Sequence, residues 1–168
     1  MASLGRSVIV SVLFVVLGGP AFALVYIPFW ITRFHIPAGE PVWQMVVAAA
    51  LIVGGAAPAF ESMKRFIVVG RGTLVPAMPT EHLVVSGMYR HVRNPMYVGI
   101  LTALAGEAMV FRSRGVVVVA FCLWLASHLF VCFYEEPTLN RRYGDEYARF
   151  KRNVPRWLPR LTPWCGEA

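Results

Sequence analysis

The sequence predicts an all-α integral membrane protein of about four transmembrane helices, or five if the second breaks near Pro58, with a C-terminal amphipathic helix along the interface. Three observations support that class. The 168 residues are 57% hydrophobic, more apolar surface than a soluble domain of this length can bury. Several stretches approach or exceed the roughly 20 apolar residues a helix needs to cross a bilayer. The basic residues, placed on four spans, fall almost entirely on one side.

The first span is expected at residues 7–32, between Arg6 and Arg33. Arg6, the apolar run and Ala21-Phe22-Ala23 imitate a secretory leader, but the apolar character continues through Val25, Ile27, Phe29, Trp30 and Ile31, so the segment reads as a retained span. The second is expected at residues 41–60, between Glu40 and Glu61. The third, residues 95–111, is interrupted only by Glu107, and it forms a hairpin with the fourth, residues 115–134, which ends at Glu135. Asn94-Pro95 opens the third span, since Asn can cap a helix and Pro at the first helical position loses no hydrogen bond. After Pro137, residues 138–153 carry Leu139, Tyr143, Tyr147 and Phe150 at helical spacing among charges, the pattern of an interfacial amphipathic helix. Trp157, Leu158 and Trp164 then suit the headgroup region. Residues 1–69 form the N-terminal spans of a single membrane domain, and residues 70–159 its polar, catalytic part.

The net charge of +7 does not call for nucleic acid. Thirteen of the sixteen basic residues lie on one side, leaving Arg33, Arg112 and Arg114 opposite, which places both termini in the cytoplasm and matches anionic lipid headgroups. Fourteen arginines against two lysines point to GC-rich coding and so to a bacterial inner membrane. Cys122 and Cys132 read as small hydrophobes within the last span, and no metal-ligand spacing exists. Cys165 lacks the aliphatic residues of a prenylation signal. Glu107 and His128, polar groups inside spans, are expected to make helix-packing hydrogen bonds.

Chemistry concentrates at one level. Counted from the hairpin tip near Ser113, Asn94 lies nineteen residues back and Glu135 twenty-two ahead, so both reach about 30 Å from the tip. Residues 89–97 therefore face Glu135 and Glu136. Adjacent carboxylates at a helix C-terminus call for cations. Arg90, Arg93 and the helix start at Pro95 offer an anion site, while Tyr89, Tyr97 and Tyr134 offer aromatic faces to a cation. Such a set suits a zwitterionic sulfonium donor, for which the protein mainly supplies position.

The joint pattern is more specific. Glu81-His82-Leu83-Val84, Gly87-Met88-Tyr89, Arg93-Asn94-Pro95-Met96-Tyr97-Val98-Gly99, Glu135-Glu136 and Tyr143-Gly144-Asp145-Glu146-Tyr147 with Val154-Pro155-Arg156 resemble the isoprenylcysteine carboxyl methyltransferase and phospholipid methyltransferase superfamily over residues 70–159. The resemblance implies S-adenosyl-L-methionine as cofactor, with contacts from Glu81, His82, Leu83, Val84, Tyr89, Asn94, Pro95, Met96, Tyr97 and Glu135. Arg93, Asn94, Glu135 and Glu136 would carry catalysis, without a metal or a covalent intermediate. It further implies a hydrophobic methyl acceptor entering from the lipid at the cytoplasmic face.

Two departures bear on the acceptor. Asn94 stands where the family usually has His, so a titratable base is absent there. Val131 stands where prenylcysteine enzymes place an Arg for the substrate carboxylate. The leading expectation is an isoprenylcysteine O-methyltransferase-like enzyme, with phospholipid N-methylation as the alternative. A sterol-type reductase using NADPH and a non-catalytic membrane subunit remain as further readings.

Overall fold

The computed structural model describes residues 19–68 and 82–166, and among these every regular element is helical. The order is α1 (Phe22–Thr32), α2 (Val42–Val68), a short 3-10 turn (Gly87–Arg90), α3 (Pro95–Val110), α4 (Arg114–Phe130), a π turn (Val131–Glu135) and α5 (Glu136–Asn153). Two stretches, Val42–Arg65 and the continuous Arg114–Asn153, are long and apolar enough to cross a membrane, whereas Phe22–Thr32 and Pro95–Val110 are apolar but shorter. The outer faces carry large apolar side chains in the open, including Trp43 (66% exposed), Phe60 (71%) and Phe133 (79%). Such a surface is stable against acyl chains rather than water. Residues 7–18 of the expected first span lie outside the described residues.

Prolines shape three of these helices, in two ways. In α1 the first turn, Phe22–Tyr26, is of π type and is followed by Pro28; in the last long helix the π turn Val131–Glu135 is followed by Pro137. In an α-helix a proline ring clashes with the carbonyl four residues back. Here that carbonyl, on Leu24 or Phe133, belongs to the wider turn, which gives the ring room. The last span and the helix after it are therefore continuous past Pro137, where the sequence suggests a break. Pro58 is handled differently: α2 runs unbroken from Val42 to Val68, with the Ser62 hydroxyl donating to the Pro58 carbonyl at 2.6 Å. The five-span alternative thus loses its break, and α2 extends beyond the expected end at Phe60.

Helices α2 and α3 cross through a seam of mostly small residues, close enough that backbone meets backbone at three glycines. Ala48, Ile52, Gly55 and Ala59 on one face of α2 meet Gly99, Ala103 and Gly106 on α3. A Cβ on Gly99 would lie 2.5 Å from the Gly55 carbonyl, and one on Gly106 would lie 2.6 Å from the Ala48 carbonyl. Backbones this close are the small-residue packing that membrane helices use where no hydrophobic force drives them together. Ile100, Leu104 and Ala108 of α3 continue the core toward Ala23 of α1 and Val116 of α4.

A second core caps the polar end. Tyr147, Phe150 and Val154 are buried against Leu83, Val85, Tyr89, Leu139 and Trp164. The amphipathic face of α5 is thus turned into protein, not spread on headgroups as the sequence suggests. The bend that permits this is at Gly144, whose φ of 51° and ψ of −123° break the helical path in a conformation open to glycine. Trp157 also turns inward: its indole donates to Nδ1 of His128 at 3.0 Å, which supplies the tertiary hydrogen bond expected of that histidine. Glu107, given the same expectation, has its Oε2 buried with no partner among the described residues.

Substituting Gly99→Val is expected to cost about 2 kcal/mol by forcing the α2–α3 backbones apart. It should appear as a lowered thermal unfolding midpoint in detergent. Gly54→Ala, whose Cβ would meet nothing within 4 Å, should cause no loss.

Candidate functional site

The polar end is assembled around one carboxylate. The apolar span ends at Tyr134, and the π turn delivers Glu135 and Glu136 side by side at its mouth. Glu136 is 5% exposed and receives three cations. Arg93 donates from Nη1 to Oε1 at 2.8 Å; Arg156 donates from Nε to Oε1 at 2.6 Å and from Nη2 to Oε2 at 3.1 Å; Lys151 lies 2.9 Å from Oε2. Burial works against the charge of Glu136, but the hydrogen bonds from Arg156 and Lys151 and the nearby Arg93 outweigh it, holding the carboxyl at about 2.

Glu135 is the opposite case. Its Oε2 is buried with no hydrogen-bond partner among the described residues. Burial, then the adjacent Glu136 charge, pushes its carboxyl up to about 7. Tyr89 and Tyr97 lie within electrostatic range of it. Burial, and after it the Glu135 charge, keeps the Tyr89 phenol protonated well above its ordinary range. Further unpartnered buried atoms, Oε2 of Glu61, Oγ of Ser86 and Nε of Arg93, also belong to this end of the molecule. Buried polar groups in folded proteins are nearly always satisfied, so such a concentration points to a ligand.

The loop before α3 is held by the chain after α5. The backbone N–H of Arg93 donates to the Pro155 carbonyl at 2.9 Å, that of Arg160 to His91 at 3.0 Å and that of Trp164 to Arg90 at 2.9 Å. Side chains reinforce the clasp: Arg90 Nε donates to the Trp164 carbonyl at 2.6 Å, and Asn94 Nδ2 to the Arg156 carbonyl at 3.1 Å. Asn94 occupies the cap position of α3, but its side chain makes no capping bond. The first N–H groups of α3, on Met96 and Tyr97, therefore stay free of the helix's own carbonyls.

The residues expected at the site divide accordingly. Arg93, Asn94, Glu135 and Glu136 come together, but Arg93 and Glu136 are bound to each other. Tyr89, Pro95 and Tyr97 border Glu135 or its helix start, while the Met96 side chain packs into the apolar core. Leu83 joins the second core, Val84 is buried and His82 is exposed. Glu81 lies outside the described residues. Tyr134 stacks on Phe130 at 5.1 Å on the outer face, away from a ligand role. Sequence reasoning missed Lys151 and Arg156 as partners of Glu136, because charges on an amphipathic helix and its tail read as headgroup anchors. Among the described residues no group of His, Cys, Asp and Glu could hold a metal ion.

Compared with known proteins, residues 43–146 match the phospholipid methyltransferase family. The chain is similar to a phosphatidylethanolamine N-methyltransferase of Botryotinia fuckeliana (strain B05.10), with 31% identity over 93 residues, covering 51% of this chain and 9% of that protein. It is also similar to a phosphatidylethanolamine N-methyltransferase of Yarrowia lipolytica (strain CLIB 122 / E 150), with 34% identity over 64 residues, covering 38% of this chain and 7% of that protein. The chain thus spans less than a tenth of the length of these curated relatives. No solved structure matches it.

Glu136→Gln is expected to leave three converging cations without a counter-charge, at a cost of about 3 kcal/mol. Glutamate titrates near 4.5 when unperturbed and about 2 in this fold. Its folded value is depressed, so its contribution is complete above pH 4.5 and is lost as pH falls toward 2. Acid unfolding followed by tryptophan fluorescence should show that component in the native protein and lack it in the variant.

Proposed function

The chain belongs to the phospholipid methyltransferase family, and from that premise we propose that it methylates the amine of a phospholipid headgroup, phosphatidylethanolamine being the type, using S-adenosylmethionine. The four apolar helices form the membrane body in this reading, and the polar end faces the cytoplasm. The observation that carries the proposal is Glu135: its Oε2 is buried with no partner among the described residues, beside a carboxylate that three cations satisfy.

The residues present fit the cofactor. Glu135 would take the ammonium of its amino acid end, and the free N–H groups opening α3 would take the carboxylate. The Tyr89 and Tyr97 rings would face the sulfonium. When bound, the cofactor supplies an electrophilic methyl group. The chain's own part is orientation, and Glu136 serves it by fixing Arg93, and with it the entry to α3, rather than by touching a ligand. An amine acceptor must shed a proton before its lone pair can attack, and desolvation at the apolar mouth of the site weakens the ammonium's hold on that proton.

Val131 and the relatives support an amine acceptor. Val131 is buried in the π turn, 1% exposed, where prenylcysteine enzymes carry an Arg for a substrate carboxylate. That position offers a carboxylate no counter-charge, so the O-methylating reading expected first gives way to the amine. The family match likewise favours methyl transfer over the nicotinamide-dependent reductase and over a subunit without chemistry.

Calorimetry with S-adenosylhomocysteine should show saturable binding that Glu135→Gln weakens at least tenfold. Only ionised Glu135 holds an ammonium, so affinity should be high above the Glu135 value of about 7 and fall as pH drops through it. The loss is expected to approach about tenfold per pH unit below that value and to be flattened in the variant. Pure phosphatidylethanolamine vesicles should accept label from the methyl donor; absence of both binding and transfer would sink the reading.

A further inference from the structure

A cleft of about 610 Å³ opens between α2 and the 3-10 turn that carries Tyr89. Its size is ordinary for a small-ligand site, roughly 300–1,000 Å³. Ala57 and Pro58 of α2, with Met88 and Pro163, give it apolar walls, and Glu61, Arg90 and His91 give it polar ones. Glu61 pairs with Arg65 one turn along α2 through Oε1. Its other oxygen, Oε2, is buried with no partner among the described residues.

The polar groups carry both signs. Arg90 is held in place through Nε by the Trp164 carbonyl, and His91 is fixed through Nδ1, 2.8 Å from the Arg160 carbonyl. Tyr89, on the same turn, lies within electrostatic range of both Glu135 and Glu61, each of which has one buried oxygen without a partner among the described residues. One donor carries one ammonium, and a single carboxylate answers it. Glu61 keeps one oxygen open to a second amine, because its pair with Arg65 engages only Oε1.

We propose that this cleft receives the acceptor headgroup, with Glu61 accepting hydrogen bonds from its amine and Arg90 facing its phosphate. The proposal rests on the phospholipid amine reading above and assigns it a second subsite. A carboxylate accepts N–H from an ammonium or a neutral amine alike, so Glu61 orients the headgroup in either state. A quaternary headgroup has no N–H to give. Glu61 therefore also discriminates, favouring the unmethylated headgroup over the fully methylated one and easing release of the latter.

The test uses the full chain in detergent, with methyl transfer to phosphatidylethanolamine, calorimetric binding of dihexanoylphosphatidylethanolamine and its choline counterpart, and binding of S-adenosylhomocysteine. Glu61→Gln should raise KM for the amine lipid at least tenfold, abolish the preference for amine over choline lipid, and leave S-adenosylhomocysteine affinity within twofold. Glu61→Asp should restore part of the preference. Arg65→Gln breaks the same ion pair from its other side, so a merely structural role would make the two variants alike. Unchanged lipid KM in Glu61→Gln, or equal effects of Glu61→Gln and Arg65→Gln, would overturn the assignment while the enzymatic reading stood. Failure of the native protein to bind or methylate any amine lipid would overturn both.

Discussion

Burying a carboxylate is costly unless cations and hydrogen bonds converge on it, and Glu136 brings that convergence from three separate stretches of chain. Arg93 comes from the loop before α3, Lys151 from the far end of α5 and Arg156 from the tail beyond it. None of the three could hold its position alone. Tied together, they bring the tail against the loop, and backbone bonds from Arg93, Arg160 and Trp164 then fasten the two. The entry to α3 is thereby set relative to the end of the last span, which is where Glu135 waits.

Two adjacent residues thus receive opposite treatments from one π turn. In a regular helix neighbours already differ in direction by a little over a quarter turn, and the wider turn adds to the shift in register. Glu136 points into the ion cluster, while Glu135 lies within electrostatic range of Tyr89 and Tyr97. A carboxylate that three cations satisfy and one with an unpartnered oxygen come from the same short peptide, and their proton affinities are driven apart, to about 2 and about 7. Different environments, not different residue types, assign the roles.

Counting along the hairpin was enough to set residues 89–97 against Glu135 and Glu136, because rise per residue is a property of the helix and not of its surroundings. The Arg93–Glu136 contact at 2.8 Å follows from that count. The apolar segments were legible for the same reason. What the sequence hid depends on long-range packing. Gly144 bends α5 and turns Tyr147 and Phe150 inward, yet an amphipathic pattern reads alike whether its apolar face meets lipid or protein. Lys151 and Arg156 were obscured by that ambiguity, and Glu61 by its local pairing with Arg65, which makes a cleft-lining carboxylate look like ordinary helix decoration.

The crossing of α2 and α3 has a mechanical consequence. Where backbone rests on backbone and few side chains beyond Ile52 intervene, the seam has few soft coordinates along which to open. The two helices behave as one rigid wall. A lipid of the kind proposed above would not part that wall, so its approach would run along the outer surface, and small residues far from any chemistry would set the direction from which the bilayer reaches the proposed site.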